Sequence, residues 1–223
     1  MSEIKIAGFK KQSLIDYPGN ISSVVFTQGC NFRCGYCHNP ELVLPQKFGS
    51  LYNNNQIFEY LLKYKNMLNA VCITGGEPTI HKGLPAFISK IKQLGLKIKL
   101  DTNGTNPKML QQLFNNGMLN FVAMDIKHIL NFDDYNKSVG NCIDKVVYKN
   151  ILFSINIIKN SKVDYEFRTT IVKGLHSVEH IIDLKKQFGN NYQTHNFNSA
   201  VVLNPEFNFE PFSEREYGII QSL

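Results

Sequence analysis

Ser23-Val24-Val25-Phe26-Thr27-Gln28-Gly29-Cys30-Asn31-Phe32-Arg33-Cys34-Gly35-Tyr36-Cys37-His38-Asn39-Pro40 joins an apolar run to three cysteines. Its first five residues read as a short buried strand. Cysteines at x3 and x2 spacing converge on one point only if their loop wraps around something. Soft thiolates select zinc or an iron–sulfur cluster among the common metals. A [4Fe-4S] cluster normally takes four cysteines. Three in one loop leave one iron without a protein ligand, open to a substrate or cofactor.

Two rivals share these residues. Cys34-Gly35-Tyr36-Cys37-His38 fits the C-x-x-C-H of haem attachment, but leaves Cys30 unexplained. Structural zinc on three cysteines and His38 is awkward, because His38 adjoins Cys37 and one tetrahedral site must hold both. Cys72 and Cys142 lie far from the loop and read as small buried hydrophobes.

Working outward, the chain alternates short apolar strands with amphipathic helices. Helical spacing covers Asn53 to Lys65, Leu84 to Leu94, Pro107 to Asn115, about Cys142 to Ile158, and Val178 to Phe188. Strands are expected at residues 70–74, 97–100, 119–124, 164–172 and 192–197. With the strand before the cysteines, about six βα repeats result, which predicts an α/β fold with a parallel sheet and outer helices. Six strands are too few for a closed eight-stranded barrel, leaving an open partial barrel or a doubly wound sheet. Both place ligands at the carboxyl ends of the strands. The polar motifs sit there: the cysteine loop at residues 29–40, Gly75-Gly76-Glu77-Pro78, Asp101-Thr102-Asn103-Gly104 and Asp125-Ile126-Lys127. The two glycines allow a ligand close to the backbone. Lys127 and Arg168 belong to the site only if their strands face the cysteine loop.

The 223 residues suit one domain, residues 1–223, with a C-terminal tail from about residue 200. Lys and Arg number 24 against 18 Asp and Glu, and the net charge of +6 is scattered, so no nucleic-acid patch is expected. Met1 to Ile6 holds no apolar stretch of signal-peptide length, and no run approaches a membrane span. A cytoplasmic location without a membrane partner is expected, and five cysteines there favour metal or redox chemistry over disulfides.

Together these words resemble the radical S-adenosylmethionine (SAM) superfamily. Ser13-Leu14-Ile15-Asp16-Tyr17-Pro18-Gly19, Phe26 to Cys34, Cys37-His38-Asn39-Pro40, Asp101 to Gly104 and Asp125 to Lys127 are similar to the glycyl-radical-enzyme activases. Within these, they most resemble activating proteins of anaerobic ribonucleoside-triphosphate reductase. The resemblance spans about residues 5–175 and implies a partial (β/α)6 barrel. It also implies that Cys30, Cys34 and Cys37 hold a [4Fe-4S] cluster whose fourth iron chelates S-adenosylmethionine. Backbone at Gly75, Gly76 and Glu77 then receives the cofactor's amino group, and Tyr36 lies beside its adenine. Asp101, Thr102 and Asp125 match positions that hold a monovalent cation in formate-lyase activases. Lys127 and Arg168 match positions near the same cofactor. Reductive cleavage is expected to give a 5′-deoxyadenosyl radical that takes hydrogen from a glycine of a large glycyl radical enzyme. The alternative is another glycyl radical enzyme or a small-molecule substrate. The last strand offers Gln193 and His195, of which His195 is preferred near the active site. The chain lacks cysteines for further clusters, so an external one-electron donor such as flavodoxin or ferredoxin is expected.

Overall fold

The computed structural model describes residues 3–206 and 208–222. Its centre is one open sheet of seven strands in the order of the chain. These are β1 (Ile6–Ser13), β2 (Ser22–Thr27), β3 (Ala70–Gly75), β4 (Lys97–Thr102), β5 (Phe121–Asp125), β6 (Asp164–Ile171) and β7 (Tyr192–Asn196). From β2 to β7 all pairings are parallel, whereas β1 runs antiparallel to β2. The expected six parallel strands are thus present, and β1 is an addition. Its central residues include Lys10 and Lys11 and are exposed, so it lacks the apolar alternation of a half-buried strand. Charged side chains of this kind protect a sheet edge from pairing with another chain.

Helices α1 (Pro40–Val43), α2 (Asn54–Tyr64), α3 (Leu84–Lys92), α4 (Pro107–Asn115), α5 (Phe132–Ser138), α6 (Lys145–Lys159), α7 (Val178–Phe188) and α8 (Glu214–Ser222) complete the chain. Local chemistry sets their starts. Asn53, Asn106, Asn131, Asp144 and Ser177 each cap a helix by accepting a backbone N–H. Asp144 accepts from Val147, so α6 begins at Lys145 rather than near Cys142.

Strand alternation divides the sheet into two faces. Val71, Ile73, Ile98, Leu100, Val122, Met124 and Phe167 join Leu84, Ile88, Leu110, Leu113, Ile151 and Ile155 of the helices in one core. The opposite face carries Cys72, Lys99, Asp101, Asp125, Glu166 and Arg168, which the strand register keeps on one side. The dry side holds the fold together; the polar side faces the cavity. Tyr17 closes the floor of this face, buried against Phe121 at 5.7 Å between ring centroids. No described helix is long and apolar enough to cross a membrane.

Candidate active site

The cysteine loop is fixed before any ligand arrives. Phe32 inserts into the core, and Arg33 donates to the Cys30 and Phe32 carbonyls at 2.7 Å. Asn31 bonds Asn103 and Thr105, each at 2.8 Å, which ties the loop to the segment after β4. From the far end of the chain, Asn204 N donates to the Gly35 carbonyl at 3.0 Å. Phe197 stacks on His38, and Phe209 meets Tyr36 edge to face. The tail therefore packs over the loop. His38 Nε2 lies 2.6 Å from the Asn198 carbonyl, a further tie between this loop and the later segment.

Gly75 and Gly76 have a clear steric reason. Gly76 N donates to the Thr27 carbonyl and Glu77 N to the Gly29 carbonyl, so this segment runs along the approach to Cys30. A Cβ on Gly76 would stand 2.0 Å from the Gly29 oxygen, and Gly75 has φ +113°. The chain's own backbone makes this close approach, while both glycines still line the cavity beside Cys30.

Glu77 is buried and turned inward. Its carboxylate accepts from Thr79 N, Thr79 Oγ1, Thr102 Oγ1 and Asn103 N. Burial raises its pKa, and these donors oppose that rise. The side chain thus pins the segment after β4 to the end of β3, leaving only backbone there to meet a ligand ammonium.

Beside it runs a chain of ion pairs. Lys127 Nζ lies 2.9 Å from Asp125 Oδ2, Arg168 Nε 2.6 Å from Asp125 Oδ1, and Arg168 Nη2 3.1 Å from Asp101 Oδ2. Lys99 Nζ continues it, 3.1 Å from Asp101 Oδ1 and 3.8 Å from Glu166. Burial works against the charge on Asp125, yet Arg168 and Lys127 hold its pKa well below the carboxylate range. Burial likewise opposes the charge on Lys127, and Asp125 keeps it protonated.

Cys30, Cys34, Tyr36, Cys37, Gly75, Gly76, Glu77, Asp101, Thr102, Asp125, Lys127 and Arg168 all line one cavity of about 810 Å³, its open mouth included. His195 is the exception: it is exposed and does not line the cavity, although it registers with Thr170, which does. Gln193 registers with Arg168 and shares that face one pleat lower. Cys72 is buried as expected, whereas Cys142 is exposed, its Sγ 3.0 Å from the Val139 carbonyl. Lys99 and Glu166 were not identified from sequence. Each stands two residues before an identified residue on the same strand, so the period of two could have found them.

The fold and cavity define a class that the comparisons with known proteins bear out: the chain belongs to the Radical SAM superfamily, matched over residues 24–187. Within it, the chain is one of the glycyl-radical enzyme activating enzymes. A relative bearing that name, from Methanocaldococcus jannaschii, is 36% identical over 187 residues, covering 81% of this chain and 74% of the relative. A pyruvate formate-lyase-activating enzyme of Clostridium pasteurianum is 28% identical over 195 residues, covering 79% of each. The fold is also that of a radical SAM methyltransferase from Sphaerobacter thermophilus, with TM-score 0.68, 13% identity, and 92% and 63% of the two chains covered. It is shared by anSMEcpe with bound AdoMet, with TM-score 0.55, 19% identity, and 75% and 49% covered.

The family's cofactors are a [4Fe-4S] cluster and S-adenosylmethionine, and the cavity suits them. Burial pushes the Cys30 and Cys34 thiols up to about 12 and raises Cys37 as well. Thiolates in so dry a place need a bound cationic centre. Among the described residues, no three His, Cys, Asp or Glu side chains gather closely enough for a single metal ion. The buried Tyr36 hydroxyl finds no hydrogen-bond partner in the cavity wall.

Proposed function

We propose that this chain installs a glycyl radical on anaerobic ribonucleoside-triphosphate reductase. The observation that carries the radical chemistry is the convergence of the three cysteines with the strand-end motifs of β3, β4 and β5 on one cavity. The reductase is favoured by the words shared with its activating proteins, from Ser13 to Gly19 and from Phe26 to Pro40. When bound, the cluster and S-adenosylmethionine supply a 5′-deoxyadenosyl radical by one-electron cleavage of the sulfonium C–S bond.

The chain's own residues orient and shield. Cys30, Cys34 and Cys37 hold the cluster. Backbone carbonyls at Gly75 and Gly76 accept from the cofactor's ammonium, while the Glu77 side chain keeps that segment rigid. Lys127 and Arg168 present positive charge toward the methionine carboxylate, held in place by Asp125 and Asp101. Tyr36 bounds the adenine. His195, exposed on β7 in register with Thr170, is the residue assigned to the approach of the glycine segment. The open sheet leaves a side on which a macromolecular substrate can dock, and the wall excludes water from the radical. The electron comes from an external donor of the flavodoxin or ferredoxin class.

A second reading makes the partner an enzyme of the pyruvate formate-lyase type, favoured by the similarity to the Clostridium pasteurianum activating enzyme. Anaerobic reconstitution, reduction and incubation with S-adenosylmethionine and each candidate partner decides between them. The expected result is 5′-deoxyadenosine together with a glycyl doublet in the electron paramagnetic resonance spectrum of the reductase. Cofactor cleavage with a doublet only on the formate-lyase enzyme would reassign the partner. No cleavage from an intact cluster would end the radical reading.

A further inference from the structure

A monovalent cation at Asp101, Thr102 and Asp125 does not fit the site as this chain builds it. All four carboxylate oxygens already face protein cations, at 3.1 Å (Lys99) and 3.1 Å (Arg168) on Asp101 and at 2.6 Å (Arg168) and 2.9 Å (Lys127) on Asp125. The Thr102 hydroxyl is engaged too, donating to Glu77 at 2.7 Å and accepting from Gly104 N at 3.1 Å.

Arg168, within β6, and Lys127, just past the end of β5, both line the cavity. Lys99 is different. It stands one pleat below Asp101 on β4, only 4% exposed. Its ammonium donates to the Asp16 carbonyl at 2.8 Å and lies 5.8 Å from the centre of the Phe121 ring. Asp101 Oδ1 has no hydrogen-bond partner, so the ammonium acts on it through charge and not through an aligned bond. That is also how an alkali ion acts on a carboxylate. A second cation at Oδ1 would crowd this ammonium, and like charges at such range repel strongly away from bulk water.

The charge balance agrees. Within the ion-pair chain, Asp101, Asp125 and Glu166 face Lys99, Lys127 and Arg168, equal in number, while the Glu77 carboxylate stands outside it and is met by four hydrogen-bond donors. Without Lys99 one partly buried negative charge stands uncompensated, and a small cation would be drawn in to neutralise it.

We infer that Lys99 is the built-in cation of this site, a positioning residue whose ammonium replaces an alkali ion beside Asp101. The inference rests on the radical reading of the cavity. It predicts an enzyme indifferent to alkali ions, and a variant that acquires the requirement.

The test uses the full chain with its cluster loaded and left oxidised, so that S-adenosylmethionine binds without turnover. Binding of the radiolabelled cofactor is measured by equilibrium dialysis with potassium, sodium or choline as sole monovalent cation. The wild-type Kd should agree within about twofold among the three, since no linked cation binds. Lys99→Met should bind about tenfold more weakly in choline and recover with about 100 mM potassium or sodium, as mass action requires. Lys99→Arg should stay indifferent. A second readout is the Tm of cluster-free protein, which potassium should raise over choline in Lys99→Met and leave unchanged in wild type. A wild-type Kd about tenfold weaker in choline overturns the inference, and needs no variant to fold. So does a Lys99→Met chain that binds as well as wild type in choline. Wild type that binds no cofactor in any buffer instead refutes the radical reading, which separates the two failures.

Discussion

Arg168 Nε lies 2.6 Å from Asp125 Oδ1, and the same guanidinium reaches Asp101 at 3.1 Å. One side chain on β6 thus fastens the ends of β4 and β5. Arg168→Met should leave both carboxylates short of a partner. Because these groups are 12–28% exposed, the loss should be about 1–3 kcal/mol, below that of a fully buried pair. Arg168→Lys keeps the charge but cannot span both carboxylates, and should recover only part of the stability. Urea unfolding of the three proteins measures this; a Lys variant as stable as wild type would show that bridging is immaterial.

Glu77 gives a sharper test of hydrogen-bond polarity. Its Oε1 accepts three bonds, and Oε2 accepts from Asn103 N at 2.6 Å. In Glu77→Gln one amide nitrogen must face a donor. The expected cost is about 1–3 kcal/mol, the usual penalty for an unsatisfied buried donor. Unfolding free energy within error of wild type would mean the carboxylate is protonated in the folded chain.

Gly76→Ala should strike the cluster loop and spare the distant helices. The added carbon meets the Gly29 oxygen at 2.0 Å, so the loop must move. Iron and sulfide per chain after reconstitution should fall below about half of wild type, overpacking of this kind costing about 1–3 kcal/mol. A full cluster load would contradict the assigned packing.

Replacing Cys30, Cys34 or Cys37 with Ala should abolish cluster binding, whereas Cys72→Ala and Cys142→Ala should retain it. Cys142 is the critical control, because its Sγ lies 3.5 Å from the Asn31 carbonyl of the cluster loop. Loss of iron in that variant would overturn the ligand set.

His176 provides a pH signature. Its Nδ1 accepts from Val172 N at 3.0 Å, and its Nε2 lies 3.0 Å from the Lys127 carbonyl. Burial, with neighbouring His128, lowers its pKa from 6.5 to about 4. The folded chain therefore binds this proton more weakly than the unfolded chain. Stability from the neutral ring is complete above about pH 6.5 and is lost progressively down to about 4, by roughly 3 kcal/mol in all. His176→Gln can keep an acceptor and a donor without titrating, and its unfolding free energy should fall less steeply across that window. An unchanged slope would assign the acid sensitivity elsewhere.

The βα alternation was legible because the strands carry continuous apolar runs that end in polar words. Those words alone brought the cysteine loop, Gly75–Glu77, Asp101–Thr102 and Asp125–Lys127 to one cavity. What stayed hidden had physical causes. Strand β1 is an edge with exposed lysines, so its hydrophobic pattern is weak. Lys99 and Glu166 lie below the strand ends, where an isolated charge reads as a solvated side chain. The role of Gly76 depends on a neighbour at Gly29, far away in sequence. Cys142 falls in a loop whose position the local sequence does not specify, which is how an exposed thiol came to be read as buried.

The bond from Asn204 to Gly35 also sets a sequence of events in time. During synthesis the cysteine loop emerges well before its cover does. At ordinary translation rates the three thiols wait roughly 10–30 s before Asn204 exists to close over them. Metal delivered within that interval meets a loop without its cover; metal delivered afterwards meets a loop already tied to Asn204 and reached through the cavity mouth. The age of the chain thus becomes a variable in its maturation.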